Sequence, residues 1–134
     1  MPIQSIRDPQ LSENPLPFSS AVRVGPLIFV SGQASVDREG EIVSDSFAGE
    51  MRRSLSNMRS VLTAAGVDFS HVVQVRSYVG REEDLEEYNK VYREFFSEPF
   101  PARTTLVGCL GTALKFEIDA IAMIDPSETS QPQR

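Results

Sequence analysis

Two short stretches toward the C-terminal end hold residue types that could do chemistry together. Pro101-Ala102-Arg103-Thr104-Thr105 offers a guanidinium just after a proline, where the chain leaves a turn and becomes extended. In the second, Leu114, Phe116, Ile118, Ala120 and Ala122 point one way, while Lys115, Glu117, Asp119, Ile121 and Met123 point the other. The first of these faces is plain core. The other carries two carboxylates and then Ile and Met, a mixture suited neither to water nor to a core, so it is expected to meet something. A guanidinium fork binds carboxylates and a positioned carboxylate moves protons. The rest of the chain reads as a sheet on which Arg103 and one of these acids serve one site.

The elements that must hold them follow in order. Residues 1–14 are polar and proline-containing and are expected to form an arm. Ala21–Val24 and Leu27–Val30 flank Gly25-Pro26 and read as a hairpin whose second strand, apolar on both faces, belongs inside the sheet. Ser31-Gly32-Gln33 ends it. A helix follows, capped by Ser44 or Asp45, with Phe47, Met51, Leu55, Met58, Leu62 and Ala65 in one apolar stripe and Gly66 as its left-handed stop. His71–Val79 is a β-branched strand. Arg81 to Asp84 opens a second helix that buries Leu85, Tyr88, Val91 or Tyr92, and Phe95, and ends before Pro99 and Pro101. Strands at about 102–109 and 114–124 complete an α+β domain, with both helices on one face of one sheet. No helix is left to cover the opposite face, where Ile121, Met123 and several valines must lie. A homo-oligomer whose subunits cover one another's open faces is therefore expected.

Composition narrows the function. A chain of 134 residues fits one domain, 1–134, with a polar tail at 125–134. The formal net charge is −6 and no Lys/Arg run occurs, which argues against nucleic acid as a partner. One cysteine permits no intrachain disulfide, and with a single histidine it cannot form a Cys/His metal cage. Met1 to Arg7 lacks the apolar core of a signal peptide, and no apolar run approaches the ~20 residues of a membrane span, so a reducing cytoplasm is expected.

Several short motifs, in order and at matching spacing, resemble the Rid (reactive intermediate deaminase, YjgF-type) family. They are Pro17-Phe18-Ser19, Val30-Ser31-Gly32-Gln33, Arg53 to Met58, Tyr88-Asn89 to Phe95-Phe96, Pro101-Ala102-Arg103-Thr104 and Phe116 to Ala122. The resemblance covers about residues 15–124. It implies a chorismate-mutase-like fold, with a single mixed sheet and two helices, and a homotrimer with clefts between subunits. It also implies a cofactor-free hydrolysis of short-lived enamines and imines, such as 2-aminoacrylate, to 2-keto acids and ammonia. Ribonuclease activity, also described for the family, would lack a basic track here. A trimer that binds a small carboxylate without turnover is the alternative.

By the same resemblance Arg103 is the substrate-binding arginine, where two parallel charge-assisted hydrogen bonds could hold a planar carboxylate. Read alone it is a surface arginine paired to an acid. Glu117 matches the family's acid and would activate water and return a proton to departing ammonia; an ion pair across an interface is its rival role. Asp119 is expected to be structural. Ser31 and Gly32 would let backbone or hydroxyl approach ligand and water, although they also suit a plain strand-ending turn. Asn89 would orient water or carboxylate, or be an ordinary helix-surface residue. Thr105 stands where many relatives carry cysteine, its backbone amide still able to bind. Phe18 stands where tyrosine is common, making that wall apolar. The segment 107–113 lacks the family's Leu-Pro pair and is about one residue shorter, and a larger or more apolar imino acid is one consequence. Cys109 within it is expected to be a small buried hydrophobe, and His71 structural.

Overall fold

The computed structural model describes residues 2–12 and 16–125. Six strands form one sheet: β1 (Gln4–Ile6), β2 (Ala21–Val24), β3 (Leu27–Ala34), β4 (Val72–Val79), β5 (Ala102–Val107) and β6 (Phe116–Met123). They lie in the order β1-β2-β3-β6-β4-β5, antiparallel except for the parallel β4–β5 pair at one edge. That pair is joined through helix α2 (Leu85–Phe95), while α1 (Phe47–Ala64) lies between β3 and β4 in sequence. The result is a single mixed sheet with two helices. Among the described residues, no helix is long and apolar enough to cross a membrane.

The alternation of β6 decides which face is core. Phe116, Ile118, Ala120 and Ala122 are buried with Ile28 and Val30 of β3 and with Met51, Leu55, Met58 and Leu62 of α1. Each of the larger of these side chains, from Val to Phe, stabilises the fold by about 1.5–3 kcal/mol when fully buried. Glu117, Asp119, Ile121 and Met123 occupy the other face as expected, and Phe29 at 42%, Leu106 at 42% and Met123 at 39% exposure show how apolar that open face is.

Local signals were mostly where the residue pattern put them. Gly66 has φ +83°, and the N–H groups of Gly66 and Val67 close on the carbonyls of Thr63 and Leu62, a Schellman end to α1. The N-cap is one residue later than expected. It is Ser46, in extended conformation, whose side chain accepts from the Gly49 N–H at 3.1 Å, while Asp45 instead accepts from the Ser46 N–H. The N-terminal lead-in contributes β1, which pairs with β2 at the sheet edge. The tail beyond Asp125 lies outside the described residues.

One buried acid ties these layers together. Glu50 of α1 is fully buried and accepts hydrogen bonds from the Asp45 N–H, the Lys115 N–H and Lys115 Nζ at 2.9–3.1 Å. It anchors the helix N-terminus to the residue that leads into β6, and so fixes where Glu117 begins.

Candidate active site

The edge pairing of β5 determines where its side chains go. Its register sets Arg103 beside Val75 and Thr105 beside Ser77, both of which are buried under the helices. Arg103 and Thr105 therefore project to the helix side. The guanidinium carbon of Arg103 lies 4.8 Å from the ring centroids of both Tyr88 and Tyr92. Spacing of i, i+4 places these two rings on one face of α2, and each cation–π contact contributes ~0.5–1 kcal/mol at an exposed site. Tyr88 Oη and Thr105 Oγ1 share a hydrogen bond of 2.9 Å, which fixes the first ring. The Tyr92 hydroxyl is buried without a partner among the described residues, and that burial, with Tyr88 next to it, pushes its pKa up to about 12.

Arg103 itself forms no hydrogen bond or ion pair among the described residues. Its fork of donors faces a recess of about 210 Å³ lined by Asn89, Tyr92, Arg93, Phe100, Pro101 and Arg103. Asn89 thus joins Arg103. Its carbonyl accepts from Arg93 Nη1 at 3.3 Å.

A second group gathers around Glu117. The β3–β6 register slips between Val30 and Gln33, so Ser31 and Gly32 sit in a bulge. Gly32 meets a close approach there: a Cβ at this position would overlap Glu117 Oε2. The Ser31 hydroxyl donates to the Ser19 carbonyl at 2.6 Å, tying the bulge to the segment that carries Phe18. Phe18, 56% exposed, shares a recess of about 230 Å³ with Leu16, Ser20 and Gly32.

The two carboxylates of β6 are treated differently. Asp119 accepts from Arg76 Nε at 3.0 Å and from Tyr78 Oη at 2.8 Å, the structural role expected of it. Glu117 has no such partner among the described residues. Burial, and then the charge of Asp119, raises its pKa above the ordinary 4.5. A half-buried, unpaired carboxyl of this kind is a candidate proton-transfer group.

One chain thus presents two candidate half-sites, Arg103 with Asn89 and Thr105, and Glu117 over Gly32, with Ser31 in the same bulge and Phe18 sharing a recess with Gly32. It does not bring the halves together. Arg103 and Glu117 leave opposite faces of the sheet, and β4 separates their strands, a lateral gap of roughly 9–10 Å at ~4.8 Å per strand. Cys109 departs from expectation: it is exposed, because the chain must cross from the edge strand to the inner β6 over the outside of the molecule. His71 Nδ1 takes part in the capping box of Asp68, a structural role. Sequence reasoning gave Tyr88 and Tyr92 to the core alone and missed Arg93 and Phe100 altogether. The tyrosine pair one turn apart, followed by the Pro99–Pro101 reversal that carries Arg103 back past them, was the available signal.

Comparison with known proteins places these residues in context. Residues 12–124 match the family model described as endoribonuclease L-PSP. A human protein named 2-iminobutanoate/2-iminopropanoate deaminase is 36% identical over 116 residues, 85% of each chain. Among solved structures, the Escherichia coli YjgF gene product superposes with a TM-score of 0.79 at 31% identity, covering 90% of this chain and 98% of its own. Escherichia coli TdcF with bound serine gives a TM-score of 0.80 at 28% identity, over 91% and 99% of the two chains.

Proposed function

The chain belongs to the endoribonuclease L-PSP (Rid, YjgF) family, and from that membership we propose that it is a hydrolytic deaminase of reactive enamines and imines. Its substrates are 2-imino acids and their enamine tautomers, and its products are 2-keto acids and ammonia. The observation that carries this reading is the contrast between spent and unspent charge. Asp119 is fully paired, whereas Glu117 and Arg103 are held in place with no counter-charge among the described residues. The relative named as an imine deaminase and the serine bound to TdcF both support a small amino-acid-derived carboxylate as ligand.

In this mechanism Arg103 holds the substrate carboxylate through paired charge-assisted hydrogen bonds, its plane set by Tyr88 and Tyr92. Water beside Glu117 attacks the imine carbon, and Glu117 takes the proton. With the imine entering protonated at nitrogen, the resulting neutral carbinolamine receives that proton on nitrogen, its hydroxyl proton passes back to Glu117 as the C–N bond breaks with the electron pair leaving on ammonia, and the keto acid remains. Water balances the reaction. Since the halves lie on opposite faces of one sheet, the site is completed by a second copy, in a homotrimer of chorismate-mutase-like fold with clefts between subunits. The open apolar face supports that assembly. Domain 1–134, a cytoplasmic location and the absence of nucleic acid as a partner complete the reading, the last supported by the net charge of −6. The engaged Thr105 hydroxyl favours the second reading, a carboxylate-binding trimer without turnover.

The test generates imines in situ with an amino-acid oxidase and follows 2-keto acid release. Wild type should accelerate release. Arg103→Ala should lose about tenfold to a hundredfold in kcat/KM, the worth of hydrogen bonds to a charged group. Equal rates for the two proteins would leave only the binding reading.

A further inference from the structure

We infer that the cleft takes imino acids bearing a second carboxylate, with Arg93 receiving the distal acid while Arg103 holds the one beside the imine; this rests on the deaminase reading above. The recess beside Arg103 is lined by two guanidinium groups and by no carboxylate. That is not for want of acids, since the chain has 19 Asp and Glu against 13 Lys and Arg. Elsewhere four arginines are neutralised by acids, Arg52 by Glu94, Arg53 by Asp45, Arg76 by Asp119 and Arg81 by Asp84, while Arg7 and Arg23 donate to backbone carbonyls and Arg59 packs on Phe69 and Phe95. Arg93 and Arg103 form no ion pair among the described residues.

Two like charges facing one concavity repel each other and raise the local anion concentration. A monoanion offsets one of them; a dianion offsets both. Arg93 is held for the task. Its Nη1 donates back to the Asn89 carbonyl one turn earlier, which keeps the guanidinium on the recess rim next to the Asn89 side chain. The remaining donors of its fork are free for a carboxylate. The volume, about 210 Å³, equals that of about seven waters at ~30 Å³ each, room for a short dicarboxylate. Tyr92, Phe100 and Pro101 supply an apolar wall along the chain joining its two ends. A cation near the C-terminal end of α2 also complements the helix dipole, a role that predicts stability without ligand preference.

The experiment separates these roles. Calorimetry compares 2-oxoglutarate with 2-oxobutanoate, stable planar products of the two substrate types, on the full-length protein. Wild type should bind the dicarboxylate about tenfold tighter, and Arg93→Gln should abolish that ratio, weakening 2-oxoglutarate far more than 2-oxobutanoate. Arg93→Lys, keeping the charge, should retain part of the preference. In parallel, 2-iminoglutarate made from D-glutamate by a D-aspartate oxidase and 2-iminobutanoate made by a D-amino-acid oxidase give the kcat/KM ratio. Equal affinities in wild type, or a ratio unmoved by Arg93→Gln, overturn the inference even if both imines are hydrolysed. Conversely, an intact affinity ratio with no acceleration of either imine upholds the dianion site and sinks the deaminase reading.

Discussion

At the scale of single residues, the most informative comparison is between two acids on one strand face. Asp119 has a guanidinium and a phenol hydroxyl against its two oxygens, whereas Glu117 is set over Gly32, partly dehydrated and facing a like charge. Its folded pKa is therefore above the value in the unfolded chain. The folded state then holds more protons than the unfolded state in the window between those two values. Its contribution to stability is thus fully present below the ordinary carboxylate range and is lost as pH rises through the raised pKa. Glu117→Gln should accordingly raise the Tm at neutral pH, and the gain should vanish in thermal melts taken below pH ~4. A Tm difference independent of pH would mean that Glu117 carries no such strain. Because the proposed mechanism needs the residue ionised to take a proton from water, catalysis should also fail at a higher pH than an ordinary glutamate would set.

Among elements, α2 has two duties. Tyr88, Val91 and Tyr92 are buried in the core, yet the same tyrosine rings form the bed on which Arg103 lies. Tyr92 contributes its ring and not its hydroxyl, which has no partner among the described residues. Tyr92→Phe should leave KM unchanged and keep or slightly raise Tm, since an unsatisfied buried polar group costs ~1–3 kcal/mol. Tyr92→Leu should raise KM several-fold, with a smaller change in kcat, because it removes a contact worth ~0.5–1 kcal/mol that orients Arg103, the proposed carboxylate clamp. Steady-state kinetics on the two variants decides this, and equal KM values would refute the role. Both uses of α2 were only half legible in the sequence. Helical periodicity marks Tyr88 and Tyr92 as inward-facing, but their contact with Arg103 depends on an edge strand ten or more residues further on. The bulge at Ser31-Gly32 was likewise hidden, because register is a property of two strands, and β6 lies far along the chain.

At the scale of the whole molecule, the sheet has one covered face and one open face, and the candidate site is divided between them. A chain carrying Arg103→Ala still has a normal Glu117 half, and one carrying Glu117→Gln still has a normal Arg103 half. Equal amounts of these two impaired variants, unfolded and refolded together, should regain roughly a quarter of wild-type activity, because one pairing in four restores an intact cleft in a closed ring. Light scattering on the same samples should give the mass of an oligomer. Failure of the mixture to recover activity, with assembly intact, would place both groups in separate sites.

The sequence by itself determined the elements and their faces. Alternation in 114–124, the apolar stripe of α1 and the stop at Gly66 are local properties, fixed by the period of strand and helix and by backbone sterics at single positions. It also supplied Arg103, Glu117 and Gly32 as candidates through their motif context. Only the tertiary structure decided which acid is free, since pairing of Asp119 with Arg76 and Tyr78 requires β4 to lie beside β6. It alone put Arg93 and Arg103 in one recess, and it alone set Arg103 and Glu117 on opposite faces. Each of these is a relation between strands or helices distant in the chain, and electrostatic environment is a sum over neighbours that folding, not order in the chain, selects.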